Sequence, residues 1–480
     1  MSGVSSAIQR GMLPDMATGA KTNAQRTPMT LLILGAGGDL THRLLLPGLA
    51  SLLVAELDRT VRVVGADRAD LTQAQWKARV KDSFATVKAP ATVTNAVTRH
   101  TAYVKADLLD QQGLADLIAE CGDGPLVIFF ALPPQVSMKV CKLLRDITLP
   151  KVTRLALEKP FGTDRESAEA FNSLLHQVVP EDHVFRLDHF LGRATVLNLI
   201  GLRFANRLLQ PVWNAEHIER VEVVYDEDLA LEGRAGYYDG AGALRDMIQS
   251  HLLQVMAMFA LESIAVLDDQ ELSDQKAQVL RATKLWGGSP KRSSRRARYT
   301  AGTIGRRKVP DYVKEDGVDP RRDTETLAQV TVAIDNNRWA GVPFVLRSGK
   351  ALGTARKQII VTFRDVAHLP GGFSAATTEA DTLTLDLKTG DVDLGLTMNA
   401  EGDPFDLEQK SLTTTLAPAE LLPYGEILAQ IFDGSQLLTV RADAAVECWR
   451  IVEPVLSAWA AGKVPMEEYA AGSAGPDGWQ

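Results

Sequence analysis

The sequence reads as an α/β half joined to an α+β half. A parallel sheet flanked by helices comes first, and a C-terminal domain built on a large antiparallel sheet and helices follows. Between residues 29 and 188, short apolar runs alternate with helical patterns, as parallel strands joined by crossover helices do. Beyond about residue 200, runs such as HIERVEVVYDE (217–227) and TLTLDLK (382–388) alternate apolar and polar with no helix between them, the pattern of an antiparallel sheet with one wet face. A length of 480 residues allows two or three domains. The expected division is a flexible tail over 1–28, a first domain over 29–188 and a second over 189–480.

In order, TLLILG (30–35) is an apolar strand ending in glycine, and a helix is expected from about Asp39 to Leu57. VRVVGA (61–66) is a second strand, and the amphipathic segment 71–87 a second helix. TAYVKA (101–106), a helix near 109–120, PLVIFFAL (125–132), a helix near 135–146 and TRLALE (153–158) continue the alternation. Half-buried strands are expected at 217–227, 327–335, 358–363, 382–388 and 391–398, with long helices near 241–262 and 440–461. Residues 289–310, rich in Ser, Gly and Arg, break the periodicity and are expected to form a surface loop.

Composition excludes several classes. Hydrophobic residues at 45% and charged residues at 23% exclude wholesale disorder and collagen-like repeats. A net charge of −8 argues against coating nucleic acid or an anionic membrane. The stretch 291–308 holds eight Lys/Arg and no acid, but lacks the regular aromatics of single-strand binders, so no nucleic-acid partner is expected. No apolar run approaches the ~18 residues of a membrane span. The first 28 residues lack a secretory apolar core. Cys121, Cys141 and Cys448 are too few and scattered for a disulfide framework or a zinc cluster, which fits a reducing cytoplasm and no metal.

GAGGDL (35–40) sits where a strand feeds a helix. Gly35 and Gly38 there allow backbone N–H groups near a pyrophosphate, with Asp39 and Leu40 opening the helix, as in a Rossmann-type unit. A tight turn that merely needs glycine is the alternative. The second strand ends in Asp67-Arg68: the acid favours the ribose of NAD, the arginine the 2′-phosphate of NADP. EKPFGTD (158–164) places Lys159 at a strand's carboxyl end, either reaching ligand or closing a salt bridge, and Pro160 is a candidate for a cis bond. RLDHFLGR (186–193) gathers Asp188, His189 and Arg193. If it is helical, His189 and Arg193 share a face and grip one phosphate. In 236–259 an apolar helix face carries His251 beside Leu244 and Ile248. Such an imidazole is either a satisfied core residue or a base oriented by a carboxylate. Asp188 is the candidate carboxylate, since Asp246, five residues before His251, lies about 140° around an α-helix.

Together these segments resemble the glucose-6-phosphate dehydrogenase family over about residues 30–475. The family's G-A-S-G-D-L is GAGGDL here, EKPFG is intact, and R-I-D-H-Y-L-G-K appears as RLDHFLGR. RFAN (203–206), PVWN (211–214), GYYD, RDMIQSHLLQ and NNRWAGVPFVLRSGKAL (336–352) follow in order. The resemblance implies oxidation of the C1 hydroxyl of glucose 6-phosphate to 6-phosphogluconolactone, with hydride passing to NADP, NAD remaining possible. It implies His251 as general base, Asp188 as its partner, and Lys159 between substrate and nicotinamide. It further implies that Glu227, Asp246 and Lys350 bind sugar hydroxyls, that His189 and Arg193 hold the 6-phosphate, that Arg68 binds the 2′-phosphate, and that the chain forms a homodimer or homotetramer. Departures cluster on the phosphate side: Leu44 and Phe190 lack donors, Arg193 replaces lysine, and Ala355 stands where a basic residue is expected, with Arg356 adjacent. Ser250 replaces the asparagine before the histidine. A glucose–fructose oxidoreductase-like enzyme is disfavoured by RLDHFLGR and RDMIQSH. A catalytically inactive dinucleotide sensor has no need of Asp188, Lys159 and His251 together.

Overall fold

A computed structural model describes residues 27–373, 380–403 and 405–479. The tail expected over 1–28 lies outside these residues except for its last two. Strands β1 (Met29–Leu34), β2 (Val61–Asp67), β3 (Ala102–Lys105), β4 (Leu126–Phe130), β5 (Thr153–Glu158) and β6 (Val184–Leu187) form one sheet in the order β3-β2-β1-β4-β5-β6. Every pairing in it is parallel. Helices cover both faces, which is why β4 is buried at every position and its sequence shows no period-2 alternation. Leu32, Ile128 and Leu155 enter one core, and Leu31, Ile33, Val127 and Phe129 the other.

That second core is completed from far along the chain. Tyr424, Ile427 and Leu428 of the helix Pro423–Asp433 pack into it. Leu187 also bridges to Thr439. The sequence reading contained no helix at 423–433.

The remaining strands are β7 (Ile218–Asp226), β8 (Thr283–Leu285), β9 (Ser294–Thr300), β10 (Gly302–Ile304), β11 (Arg307–Val309), β12 (Leu327–Ile334), β13 (Pro343–Gly349), β14 (Arg356–Phe363), β15 (Thr382–Asp386), β16 (Asp391–Asn399), β17 (Leu407–Thr415) and β18 (Met466–Ala470). β10 and β11 pair as a hairpin; the others form a ten-stranded sheet, β17-β16-β15-β14-β7-β13-β12-β9-β18, with β8 on β12. Most neighbours are antiparallel, as expected. β7 with β13 and β9 with β18 are parallel, so the sheet is mixed. Long helical crossovers, Ala235–Ala282 and Ala442–Ala460, lie on the connections that lead to these parallel partners, as parallel pairing requires.

The loop expected at 289–310 is corrected. A short helix, Pro290–Ser293, leads into β9, where Ser294, Arg296, Ala297 and Tyr299 are buried. Arginines of the basic stretch are neutralised by distant acids: Arg295 by Glu467 at 3.2 Å, Arg296 by Asp323 at 3.0 Å, and Arg307 by Glu232. Those partners are remote in sequence, so the local composition read as solvated.

Two expected helices open differently. The first begins as a π-helical turn, Thr41–Leu45, before the α-helix Leu46–Ala55. The segment expected as one helix over 241–262 breaks at Gly242 (φ +70°), runs as a π-helix over Leu244–Leu252 and ends as an α-helix over Leu253–Ala260. A Cβ at Gly242 would lie 2.4 Å from Glu325 Oε1, so only glycine fits. Glu325 accepts a hydrogen bond from Leu244 N at 2.9 Å and so caps the wide helix.

Candidate active site

The carboxyl ends of the parallel strands converge where the second domain meets the first, the usual ligand crevice of an open α/β sheet. Lys159 follows β5 and Asp188 follows β6. A cavity of about 630 Å³ lies there, lined among others by Pro133, Lys159, Tyr237 and Arg245.

Asp188 and His251 meet at this point. His251 Nδ1 donates to Asp188 Oδ1 at 2.6 Å, and both side chains are buried. Asp188 Oδ1 also accepts from Phe190 N at 3.0 Å, and Oδ2 accepts from Ser250 Oγ at 2.6 Å. Burial pushes the carboxyl upward, but the facing His251 and the hydrogen bonds outweigh it and hold Asp188 well below the ordinary carboxylate range. Burial holds His251 below the ordinary histidine value, against the opposing pull of Asp188. With Nδ1 committed, Nε2 is the atom left to accept a proton. Phe190 stacks on the His251 ring with centroids 4.3 Å apart.

The RLDHFLGR segment is not helical. β6 ends at Leu187, and a turn closed by Leu191 N to Asp188 O carries His189 and Arg193 to the start of the helix Ala194–Phe204. The turn still gathers these side chains around Phe190, with Arg193 Cζ 4.3 Å from its ring centre and the His189 ring 5.1 Å away. His189 is pushed down to about 3 by burial and the neighbouring His251, so its imidazole is neutral.

Asp246 lies in the first turn of the π-helix that carries His251, and its carboxylate is held by Lys159 and Tyr237. Lys159 Nζ donates to Asp246 Oδ1 at 3.0 Å and to its carbonyl, and Tyr237 Oη donates to the same carboxylate at 3.1 Å. The Lys159–Pro160 bond is cis. At the end of β7, Lys350 Nζ pairs with Glu227 Oε2 at 2.6 Å. The ligand atoms of Asp188, His189 and His251 lie within 4.8 Å of one another. Both carboxylate oxygens of that trio are already engaged by protein donors.

The glycine turn fits a dinucleotide. Gly35 holds φ +88°, and a Cβ there would sit 2.2 Å from Ala131 O. Asp39 pairs with Arg43 at 3.2 Å in solvent, and Leu40 is half-buried at the helix entry. Asp67 and Arg68 differ in their partners. Asp67 Oδ2 accepts from Gly37 N at 2.9 Å, and Oδ1 accepts from Arg68 N at 2.7 Å, so the acid is spent on the loop. Arg68 is exposed beside it, which suits a 2′-phosphate. Arg79, which the sequence reading missed, donates to Gly37 O at 2.6 Å and steadies the same loop.

Residues 32–198 match the family "Glucose-6-phosphate dehydrogenase, NAD binding domain", and residues 200–480 match "Glucose-6-phosphate dehydrogenase, C-terminal domain". The chain belongs to the glucose-6-phosphate dehydrogenase family. It is similar to a glucose-6-phosphate 1-dehydrogenase of Gluconobacter oxydans (strain 621H), 36% identical over 472 residues, 94% of this chain and 95% of that protein. Among solved structures it resembles a glucose-6-phosphate dehydrogenase in complex with its substrate glucose-6-phosphate, with TM-score 0.84 and 27% identity over 94% of this chain and 96% of that one. The glucose-6-phosphate 1-dehydrogenase of Mycobacterium avium gives TM-score 0.82 and 30% identity over the same shares.

For a glucose-6-phosphate dehydrogenase, the departures noted in the sequence now have places. Ser250 keeps a donor on Asp188. Leu44 is exposed on the first π-helical turn. Arg356 does not stand in for the missing base at Ala355, because its guanidinium is held by Asp226 at 3.1 Å. Lys357 was not singled out in the sequence, yet its Nζ lies 3.8 Å from Glu227. A basic residue two positions away on a strand shares a face, and that was the available signal.

Proposed function

We propose that this chain oxidises the C1 hydroxyl of glucose 6-phosphate to 6-phosphogluconolactone with NADP as the hydride acceptor, and that His251 is the general base. The observation that carries the assignment of the base is the buried 2.6 Å bond from His251 Nδ1 to Asp188. It fixes the tautomer, so Nε2 takes the hydroxyl proton as C1 releases hydride and its bond to oxygen becomes a carbonyl. The anionic Asp188 stabilises the imidazolium so formed. The nicotinamide, when bound, supplies the hydride acceptor. The Gly35 turn holds the pyrophosphate and Arg68 the 2′-phosphate.

Asp246 beside Lys159, and Glu227 beside Lys350, each set an acceptor next to a donor. A sugar hydroxyl needs both, since it donates one hydrogen bond and accepts others. Lys159, at the end of β5, faces sugar and nicotinamide together. His189 and Arg193 hold the 6-phosphate.

No described helix is long and apolar enough to cross a membrane. The three cysteines are free and buried, in keeping with a cytoplasmic location. The outer strands β16 and β17, with Met398 and Leu412 exposed, support pairing of copies into a homodimer or homotetramer through the second sheet. Light scattering on the purified chain checks this.

An initial-rate panel crossing glucose 6-phosphate, glucose and other hexose phosphates with NADP and NAD tests the reaction. Glucose 6-phosphate with NADP gives the highest kcat/KM. A higher value for an unphosphorylated hexose overturns the substrate assignment.

A further inference from the structure

We infer that Lys357 is a phosphate-binding residue of this enzyme and, with Arg193, forms the clamp that selects hexose phosphates over free hexoses. This rests on the glucose 6-phosphate reading above and adds a residue to it.

The first support is the register of the sheet. In the antiparallel pairing of β14 with β7, Lys357 stands opposite Tyr225 and Arg356 opposite Asp226. Directly opposed residues share a face and successive residues alternate. Arg356 therefore goes to the face where Asp226, held also by Arg347 at 3.1 Å, neutralises it. Lys357 goes to the face of Tyr225, where its Nζ lies 4.4 Å from the ring centre. Arg193 approaches the same ring, with Cζ 5.9 Å from its centre and a guanidinium nitrogen 3.5 Å from the hydroxyl. Two cations from distant parts of the chain thus converge on one aromatic ring.

The second support is charge balance. Lys350 and Lys357 flank the single carboxylate of Glu227, at 2.6 and 3.8 Å, and all three side chains are about one-fifth exposed. Arg193 adds a third cation, and among the described residues it makes no ion pair. Its Nε is buried without a hydrogen-bond partner. Two lysines share the one carboxylate of Glu227, and Arg193, at the same Tyr225 ring as Lys357, has none, which leaves a positive surplus in a half-desolvated place. A phosphate monoester, carrying roughly −1.5 to −2 charge and three acceptor oxygens, matches that surplus. Arg193 offers a planar fork and Lys357 a point charge, a complementary pair for one phosphate. Lys357 thereby supplies what Leu44, Phe190 and Ala355 do not.

The test uses the purified full chain with Lys357→Gln and Lys357→Arg, and measures KM for glucose 6-phosphate, KM for glucose and inhibition by inorganic phosphate. Loss of one charge-assisted contact is expected to raise KM for glucose 6-phosphate and the inhibition constant of phosphate by roughly 10-fold or more in Lys357→Gln. KM for glucose moves less than about twofold, and Lys357→Arg recovers most of the phosphate affinity by retaining charge. An unchanged KM for glucose 6-phosphate overturns the inference. Equal losses for both sugars also overturn it, because Lys357 would then act only through Glu227. If Lys357→Gln does not fold, Lys357→Met takes its place: it removes the charge, raises KM for glucose 6-phosphate and the inhibition constant of phosphate but not KM for glucose, and no shift overturns the inference. A wild type that shows no preference for the phosphorylated sugar is a separate failure, that of the substrate reading.

Discussion

Asp188 and His251 are 63 residues apart in the chain and joined by a 2.6 Å hydrogen bond in the fold. The carboxylate keeps Nδ1 protonated, so Nε2 carries the basic lone pair. In His251→Asn the amide retains a donor for the buried carboxylate but has no basic nitrogen. Its kcat should fall by about 10²-fold or more with little change in KM. Steady-state kinetics with both substrates saturating checks this, and near-normal turnover removes the base assignment.

Ser250 is the second side-chain donor on Asp188. Ser250→Ala leaves Oδ2 buried without it and loosens the imidazole's support. A kcat lower by about 10-fold is expected, in line with loss of one hydrogen bond to a charged group. Ser250→Asn, which restores a donor, should recover part of the rate. Equal kcat in wild type and Ser250→Ala would mean that Phe190 N alone positions the carboxylate.

The pH profile follows from the downward shift of His251. A general base works when deprotonated, so lowering its pKa moves the acid limb to lower pH. In the free enzyme kcat/KM should stay level as pH falls through the ordinary histidine value of about 6.5, and decline only below it. Initial rates across pH 4.5–8.5 measure the limb, and a half-maximal point above that value contradicts the assignment.

Arg68 is exposed while Asp67 is occupied by the glycine loop. Arg68→Ala should raise KM for NADP by roughly 10-fold or more and leave NAD nearly unchanged, since only NADP carries the 2′-phosphate. An unaltered NADP/NAD ratio would move selectivity to another group.

Glu325, the buried cap of the π-helix, is pushed up to about 7 by burial. Its folded pKa exceeds its ordinary value of 4.5, so the folded state holds the extra proton between those values. Stability therefore falls as pH rises through that window. Glu325→Gln carries no charge to bury and still offers Leu244 N an acceptor. Its Tm should fall less than the wild type's between pH 5 and 8. Some slope remains from Glu158, also pushed up to about 7 by burial. Parallel thermal scans of the two proteins compare the slopes, and identical slopes would remove Glu325 as a source.

Much of the site was legible in the chain because its residues sit in short motifs at strand ends. Lys159 and Asp188 lie just past β5 and β6, where the alternation of apolar runs and helices already placed a ligand crevice. Asp246 was set aside as the partner of His251 on its helical angle, and the structure agrees: Asp188 holds His251, while Asp246 pairs with Lys159. The first residue of the wider helix, Leu244, is bonded by Glu325 across 81 residues. The basic stretch at 291–308 is not the surface loop its composition suggests. Glu467 and Asp323, which neutralise it, are brought near only by sheet pairing.

By itself the sequence placed most strands and helices of the first sheet, indicated the parallel and largely antiparallel characters of the two halves, and picked out Asp188 and His251 as a pair. Those features are encoded in periodicity and in motifs a few residues long. Only the tertiary structure decided the pairing of Asp246 with Lys159, the packing of 423–433 on the first sheet, and the face of β14 that turns Lys357 toward Tyr225 and Arg356 toward Asp226. Each of these depends on a partner scores of residues away, and a local pattern carries no record of which distant surface it will meet.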